Sequence, residues 1–316
     1  LQGSFDCEGK PSQDVFALVH ANASLQSGLP NPLDQAILRR AAEDRPALEK
    51  ITEIPYDFIR KRMSVVVRDG DAARIICKGA LDQILEASTS WGDSHHPLDE
   101  IRTSVQALFQ GWSDQGIRVL GVATGKTVVK DSYDKSDETK LVLRGFITFA
   151  DQPKADVSTV IQQLKELGVA IKVITGDNRL VAQHVAQQVG IDITHVLTGE
   201  ALDELSSDAL LVLVDRVSVF SQMNPNQKER IILALRKRKR VVGYMGDGIN
   251  DTPAMHAADA SISVESAVDV AKATADFVLL EKDLGIILRG IEEGRKTFGN
   301  TQKYILMTTS ANLGNM

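Results

Sequence analysis

The segment Val241-Val-Gly-Tyr-Met-Gly-Asp-Gly-Ile-Asn-Asp251 predicts both a fold class and a place for chemistry. Residues 241–245 form an apolar run of strand length that stops at Gly-Asp-Gly, which is typical of a buried strand in a parallel sheet. Ligands of open α/β sheets bind where such strands end. Asp247, Asn250 and Asp251 follow the run, and their oxygen atoms suit a hard cation such as Mg²⁺. The alternative interpretation is an ordinary turn, because Asp-Gly and Asn-Asp are common turn residues.

Helical and strand patterns alternate through the rest of the C-terminal half. Strands separated by helices of about 10–15 residues are typical of βαβ units. We predict strands over 169–174, 217–220, 241–245, 260–264 and 277–280, and helices over 157–167, 180–189, 227–236 and 294–316. The expected fold of residues 146–316 is therefore α/β, with a Rossmann-like parallel sheet flanked by helices. The last predicted helix has no C-terminal cap, so we expect it to be truncated.

The first 145 residues have a different pattern. Helical patterns over 14–23, 34–42, 80–87 and 101–110 are mixed with β-rich segments over 62–68, 73–78 and 118–123. Asp69-Gly-Asp71 between the first two β-rich segments is a strong hairpin signal. We therefore predict a separate α+β domain with an antiparallel sheet over residues 1–145, and place the change of pattern between 145 and 153.

Composition excludes several classes of protein. The 316 residues are 43% hydrophobic and 25% charged, with a net charge of −6, which gives no reason to expect nucleic acid as a partner. The basic run Arg236-Lys-Arg-Lys-Arg240 is interpreted as a solvated helix end. The two cysteines, Cys7 and Cys77, lack CxxC spacing, which argues against zinc and disulfides. The sequence shows no apolar stretch of about 18 residues and no signal peptide.

Three groups in the C-terminal half could meet at one phosphate. Thr175-Gly176-Asp177 follows a predicted strand, where a hydroxyl and backbone amides can bind phosphoryl oxygens. Lys228 lies just inside a helix that begins at Pro225 and could supply a positive charge. The third group is the acidic loop at Asp247, which could hold Mg²⁺. The alternatives are a helix N-cap at 175–177 and a surface lysine at 228.

These motifs, in this order, resemble a known family. Thr175-Gly-Asp177, Met223-Asn-Pro-Asn-Gln-Lys-Glu-Arg230 and Met245-Gly-Asp-Gly-Ile-Asn-Asp-Thr-Pro-Ala-Met255 are similar to the phosphorylation domain of P-type ATPases, which belong to the haloacid dehalogenase superfamily. Asp151-Gln-Pro-Lys154 resembles the Asp-Pro-Pro-Lys/Arg hinge of the family, from which Gln152 departs. The resemblance implies that Thr175, Gly176, Asp177, Lys228, Asp247, Asn250 and Asp251 form the catalytic site, with Asp247 and Asp251 as metal ligands.

The first domain resembles the nucleotide-binding domain of the same family. Lys78-Gly-Ala80 is similar to its nucleotide motif, and Asp57-Phe58 followed by Arg60-Lys-Arg-Met-Ser-Val65 is similar to its adenine-binding segment. The implied ATP contacts are Asp34, Phe58, Lys61, Lys78, Gly79 and Arg118. An aromatic ring can stack on adenine, and lysine can reach phosphates. Arg62 could supply this charge as well as Lys61. The alternatives are a core phenylalanine, a solvated basic hairpin and a glycine at a hairpin exit.

One family motif is absent from the sequence. P-type ATPases transfer the γ-phosphoryl group of ATP to the aspartate of Asp-Lys-Thr-Gly-Thr, and no such motif occurs in the 316 residues. We expect it to lie upstream of Leu1, so this chain should bind ATP and Mg²⁺ as cofactors without becoming phosphorylated itself. The resemblance implies a cytosolic portion of an integral membrane protein of the bacterial inner or plasma membrane. The implied partners are the actuator domain and transmembrane helices of the same pump, with the chain itself monomeric.

The transported ion is expected from resemblance alone. The segments 54–58, 276–284, 293–295 and 303–312 resemble the magnesium-transporting subfamily, which implies ATP hydrolysis coupled to Mg²⁺ movement. Three alternatives stay open: a proton or calcium pump, a free-standing phosphatase of the haloacid dehalogenase superfamily, and a nucleotide-binding module without chemistry.

Overall fold

The computed structural model describes residues 1–27, 31–40, 48–57, 59–150, 154, 156–281 and 283–314. The chain divides into two compact units, Leu1–Gln152 and Pro153–Met316. A strand that runs from Leu141 to Ala150 lies wholly within the first unit.

The first unit is built on a sheet of eight strands. The strands are β1 (Gly3–Asp6), β2 (Lys50–Ile54), β3 (Arg62–Asp69), β4 (Ala72–Ala80), β5 (Ser88–Trp91), β6 (His96–Pro97), β7 (Ile117–Val128) and β8 (Leu141–Ala150). Their order is β2-β3-β4-β7-β8-β5-β6, with β1 paired to β8. Every pair is antiparallel except β5 with β8. The predicted α+β architecture is confirmed, although the sheet is mixed and the sequence patterns gave no sign of β2, β5 or β8.

The predicted hairpin lies between β3 and β4. Asp69 pairs with Ala72, so the loop is Gly70-Asp71, and Gly70 has a φ of 64°. Two-residue hairpin loops of this kind need a positive φ, which glycine adopts without steric strain.

Helices cover both faces of this sheet. They are α1 (Gln13–Ser24), α2 (Pro32–Arg39), α3 (Leu81–Ala87) and α4 (Arg102–Asp114), with short 3₁₀ turns at Leu98–Glu100 and Lys135–Asp137. Phe146 and Ile147 are consecutive residues of β8, so their side chains point to opposite faces. Ile147 packs with α1 and α2, whereas Phe146 packs with α3 and α4. Neither side chain has exposed surface.

The second unit contains two three-stranded parallel sheets. The first sheet has the order β10 (Val196–Thr198), β11 (Val219–Ser221), β9 (Val173–Ile174), and the second has the order β12 (Gly243–Met245), β13 (Ala260–Val264), β14 (Phe277–Leu279). Parallel pairing is confirmed, and in the described residues it is divided between these two sheets. Each of β9 and β12 pairs on one side only there, which explains why both are shorter than predicted.

The helices of the second unit are α5 (Val157–Glu166), α6 (Arg179–Gln188), α7 (Gly199–Asp203), α8 (Ser207–Leu213), α9 (Pro225–Lys237), α10 (Thr252–Ala257), α11 (Asp269–Thr274) and α12 (Gly285–Gly314). Val219 of β11 packs with α5 and α6, and its neighbour Phe220 packs with α9 and α10. The sheet is therefore flanked by helices, as predicted.

Two predicted segments of the second unit differ from the structure in their bounds or their exposure. Val241, predicted in a buried strand, lies two residues before β12 and is 91% exposed. The last helix, α12, starts earlier than predicted and exposes Phe298 and Tyr304. Arg295 of α12 donates to the carbonyl oxygen of Leu167 at 2.7 Å. Within the described part of the chain, no helix is both long enough and apolar enough to cross a membrane.

Candidate functional site

A cavity of about 450 Å³ lies where β9 and β12 end in the second unit. Thr175 follows β9, Asp247 follows β12, and Lys228 comes from the first turns of α9; all three line the cavity. α9 starts here because Asn224 and Gln227 form a reciprocal capping box, with both hydrogen bonds at 2.9 Å. The structure therefore brings together three predicted site residues that are far apart in sequence.

Asp251 is the most heavily bonded side chain of the cavity. One carboxylate oxygen accepts hydrogen bonds from Lys228 Nζ at 2.7 Å and from the Tyr244 hydroxyl at 2.8 Å. The other oxygen accepts from the backbone amides of Asp247 at 3.3 Å and Gly248 at 3.2 Å. Asp251 and Lys228 are both buried, 9% and 8% exposed. The carboxylate thus holds the lysine from α9 and the loop after β12 in one arrangement.

The charges of this cluster are matched. Burial by itself would raise the pKa of Asp251, but the Lys228 ammonium and the other donors outweigh it and leave that pKa below its ordinary value. Burial, followed by the negative charge of Asp251, raises the pKa of Tyr244. Tyr244 is therefore a neutral donor to an ionised carboxylate that is paired with a lysine.

Gly246 leaves the space that Asp251 occupies. A Cβ atom built on Gly246 would lie 2.4 Å from Asp251 Cβ and 2.9 Å from Asp251 Cγ. Such contacts are far inside van der Waals distance, so a side chain at 246 would displace the carboxylate. The glycine before Asp247 is needed for close approach within the protein, independently of any ligand.

The segment 175–177 turns away from β9 without capping α6. Thr175 is held by its amide, which donates to Phe220 O at 2.9 Å, and its hydroxyl oxygen accepts from the Asp177 amide at 3.1 Å. The N-cap of α6 is Asn178, whose side chain accepts from Val181 N at 2.9 Å. The alternative that Thr175 or Asp177 is the N-cap is therefore wrong.

The remaining predicted residues of this site differ in position. Gly176 and Asn250 are exposed and do not line the cavity, and Asp247 is exposed at its rim. In the described residues, no group of three or more His, Cys, Asp or Glu side chains could hold a metal ion. Both oxygens of Asp251 already accept hydrogen bonds from the protein, so Asp247 is the carboxylate that a cation could reach more readily.

The first unit brings together two of the predicted ATP contacts. Lys78 of β4 and Asp34 of α2 form an ion pair in which the side chains are 5% and 1% exposed. The Asn31 side chain donates to the other Asp34 oxygen at 2.7 Å. Burial lowers the pKa of Lys78, and the Asp34 charge opposes this effect without cancelling it.

Gly79 has a structural reason to be glycine. A Cβ atom there would lie 2.5 Å from the carbonyl oxygen of Lys61 and 2.4 Å from Arg62 Cβ. Lys61 itself has a φ of 48°, and its carbonyl oxygen accepts from the Ala80 amide at 2.9 Å. Close contact of β3 and β4 therefore accounts for this glycine.

The positions of two further predicted ATP contacts, Arg118 and Phe58, are as follows. Arg118 is on β7, opposite Phe149 of β8. Phe58 lies outside the described residues.

Sequence reasoning missed two residues. Tyr244 donates to Asp251, and its signal was a hydroxyl-bearing side chain inside an otherwise apolar run. Glu138 has no exposed surface and lies in the polar stretch 130–140, where nothing in the sequence separates it from the solvated residues around it.

Comparisons with known proteins agree with the motifs. The model of the family described as P-type ATPase, cytoplasmic domain N, matches residues 23–156, which cover most of the first unit. The whole chain is 42% identical over 326 aligned residues to the magnesium-transporting ATPase, P-type 1, of Salmonella typhimurium strain LT2. The chain belongs to the P-type ATPase family.

The relatives of this P-type ATPase chain are named as transporters of different ions. The magnesium-transporting ATPase, P-type 1, of Escherichia coli K12 is 41% identical over 100% of the chain, and the calcium-transporting ATPase 1 of Saccharomyces cerevisiae is 34% identical over 90% of it. The chain spans 36% of the length of the two magnesium transporters and 32% of the yeast protein. It corresponds to about a third of each relative.

Proposed function

We propose that this chain is the ATP-binding and phosphorylation region of a cation-transporting P-type ATPase that moves Mg²⁺. The observation that carries the proposal is the convergence of Thr175, Lys228 and Asp247 on one cavity where two parallel strands end. The ion is inferred from the magnesium-transporting relatives, which are 41–42% identical, against 34% identity for the yeast calcium-transporting ATPase.

The cavity has the charges that phosphoryl transfer requires. Lys228 would place an ammonium beside the transferring phosphoryl group, where a buried, fixed charge stabilises developing negative charge better than water does. Asp251 keeps Lys228 in place, and the Thr175 hydroxyl could donate to a phosphoryl oxygen. Mg²⁺, when bound by Asp247, would neutralise further phosphate charge. Asp251 is proposed to position Lys228 and the loop, and the predicted role of Asp251 as a direct metal ligand is less well supported by its hydrogen bonds.

The phosphorylated aspartate is proposed to lie in another segment of the pump. The sequence contains no Asp-Lys-Thr-Gly-Thr. β9 and β12 both end at the cavity and, as far as the structure describes them, each has one unpaired side. A further parallel strand beside β12 would deliver an aspartate from its own carboxyl end to the same cavity.

The first unit is proposed to bind ATP at the Asp34–Lys78 ion pair. Lys78 would reach the phosphates and Phe58 would stack on adenine, with Lys61, Gly79 and Arg118 as further contacts. We further propose that the chain is the cytosolic portion of a membrane protein, and that its partners are the actuator domain and transmembrane helices of the same pump.

ATP binding tests the first part of the proposal. Isothermal titration of the 316-residue chain should show saturable ATP binding that Lys78→Ala weakens at least tenfold. Lys10→Ala is the matched control, because Lys10 is 72% exposed and forms a surface ion pair with Glu8. Absence of saturable binding at millimolar ATP would refute the nucleotide site.

Phosphoenzyme formation tests the second part. In the full-length pump, Asp247→Asn should abolish phosphorylation by ATP while leaving ATP binding intact, because the change is confined to the phosphate cavity. The 316-residue chain alone should form no acid-stable phosphoenzyme. Mg²⁺-dependent hydrolysis of small phosphomonoesters by this chain would favour a phosphatase instead. If the full-length protein transports Ca²⁺ or protons but does not transport Mg²⁺, the ion assignment is wrong.

A further inference from the structure

Glu138 is a carboxylate without exposed surface in a segment of mostly exposed residues. It directly follows the 3₁₀ turn Lys135–Asp137, on the connection from β7 to β8. An ionised carboxylate that leaves water loses several kcal/mol of solvation unless charged donors replace the water. The partners of Glu138 must therefore account for its burial.

Those partners all come from β3 and the residues just before it. Ser64 Oγ donates to Glu138 Oε1 at 2.7 Å, and Arg62 Nε donates to Oε2 at 2.9 Å. Arg60 Nη1 also donates to Oε2. Two guanidinium groups share one carboxylate, and both arginine side chains are only 12% exposed.

Arg60 links this carboxylate to the connection between β2 and β3. Its other guanidinium nitrogen atoms donate to Pro55 O at 2.6 Å and to Asp57 Oδ2 at 2.5 Å. Lys135, three residues before Glu138, pairs with the same Asp57 oxygen at 3.0 Å. The residues around Asp57 are thus fixed from two sides by the connection that carries Glu138.

Lys61, the residue after Arg60, contacts the strand that carries Lys78 but not Lys78 itself. Its carbonyl oxygen fills the space beside Gly79 and accepts from Ala80 N at 2.9 Å. The Arg60 side chain is therefore held to Glu138, and the backbone of its neighbour Lys61 is held to the strand residues next to Lys78. These are the two segments to which we assign the adenine and phosphate contacts of ATP.

We infer that Glu138 is a positioning residue for nucleotide binding. Acting through Arg60, its negative charge holds Asp57, Arg60 and Lys61 in the conformation that presents them to the adenine end of ATP. This inference rests on the ATP-binding function proposed above. Since Lys78 is held separately by Asp34, loss of the Glu138 charge should weaken recognition of the adenosine part and spare recognition of the phosphates.

Glu138→Gln tests this inference in the 316-residue chain. Glutamine keeps the size of the side chain and can still accept from Ser64, but it removes the charge that pairs with Arg60. We expect the Kd of ATP to rise about tenfold, equivalent to about 1.4 kcal/mol, and the Kd of inorganic tripolyphosphate to change less than twofold. Glu8→Gln, at a 51% exposed carboxylate, should change neither constant.

A second variant keeps the test decisive if Glu138→Gln does not fold. Arg60→Gln removes the link while leaving Glu138 paired with Arg62, and it should give the same selective loss for ATP. Where both single variants fold, the double variant should bind ATP no more weakly than either one, because the two residues act in series. Equal weakening for ATP and tripolyphosphate, unchanged ATP binding, or additive losses would each overturn the inference. Absence of ATP binding by the wild-type chain would instead refute the proposed function, and the inference with it.

Discussion

Replacement of Gly246 by alanine should disrupt the phosphate cavity without touching a charged group. The new methyl carbon would lie 2.4 Å from Asp251 Cβ, so Asp251 must move by about 1 Å to reach an ordinary contact of 3.4 Å. Its hydrogen bond to Lys228, now 2.7 Å, would then exceed hydrogen-bonding distance. Overpacking typically destabilises by about 1–3 kcal/mol, and breaking a buried ion pair by about 3–5 kcal/mol. Because the pair should relax in part, we expect a loss of about 2–4 kcal/mol.

The measurement must report on the second unit. Both tryptophans, Trp91 and Trp112, lie in the first unit, so tryptophan fluorescence follows the wrong part of the chain. Urea unfolding followed by hydrogen exchange of the α9 and α10 amides reports on the second unit directly. Gly246→Ala should lower the free energy of unfolding there and leave the fluorescence transition unchanged.

Gly248→Ala is the matched control. A Cβ atom at Gly248 would meet nothing closer than 3.7 Å, and its φ of −113° suits alanine. We expect a change within about 0.5 kcal/mol for the control. If the two variants are equally stable, the close approach at Gly246 does not determine the position of Asp251, and our account of the cavity is wrong.

Three further outcomes follow from the same contacts. Tyr244→Phe should destabilise the second unit by about 1 kcal/mol in urea unfolding, because it removes one buried hydrogen bond to Asp251. The pKa of Asp251 is lower in the folded than in the unfolded state, so its ionised carboxylate stabilises the folded state at neutral pH. The free energy of unfolding of the wild type should therefore exceed that of Asp251→Asn at neutral pH. This difference should shrink below about pH 4 and vanish as the pH falls through the folded-state pKa. For Lys78, the lowered pKa means that the ammonium is lost at a lower pH than for a free lysine, so the calorimetric ATP affinity should decline on the alkaline side at a lower pH than lysine itself titrates. In Lys78→Arg this decline should be absent, because a guanidinium stays charged.

Much of the second unit could be predicted because its signals are local. The apolar run 241–245 is followed directly by Gly-Asp-Gly, so both signals lie within eight consecutive residues. Few structures other than a parallel strand that ends in a ligand-binding loop fit such a pattern. Lys228 was identified from its place beside Pro225 at a helix start, and the structure confirms that α9 begins there. The pairing of Lys228 with Asp251 joins residues 23 positions apart and could not be read from either segment.

Long-range partners account for the rest. Glu138 resembles its exposed neighbours in sequence, and only the fold brings it to Arg60 and Arg62, more than seventy residues earlier. The strand β12 was expected to be buried on every side because Val241 and Met245 are apolar, whereas burial depends on which strands stand beside it. The structural need for glycine at position 79 comes from the carbonyl oxygen of Lys61, the residue just before β3, which the sequence around Gly79 does not reveal.

The open sides of β9 and β12 have a practical consequence for anyone who purifies these 316 residues. Among the described residues, the amides and carbonyls on one side of each strand have no strand partner, and beside exposed Val241 and Met245 they offer a template on which a second molecule can add its own strand. Preparations that are monomeric when dilute should therefore self-associate on concentration, and a lysine in place of Val241 should raise the concentration at which light scattering first increases.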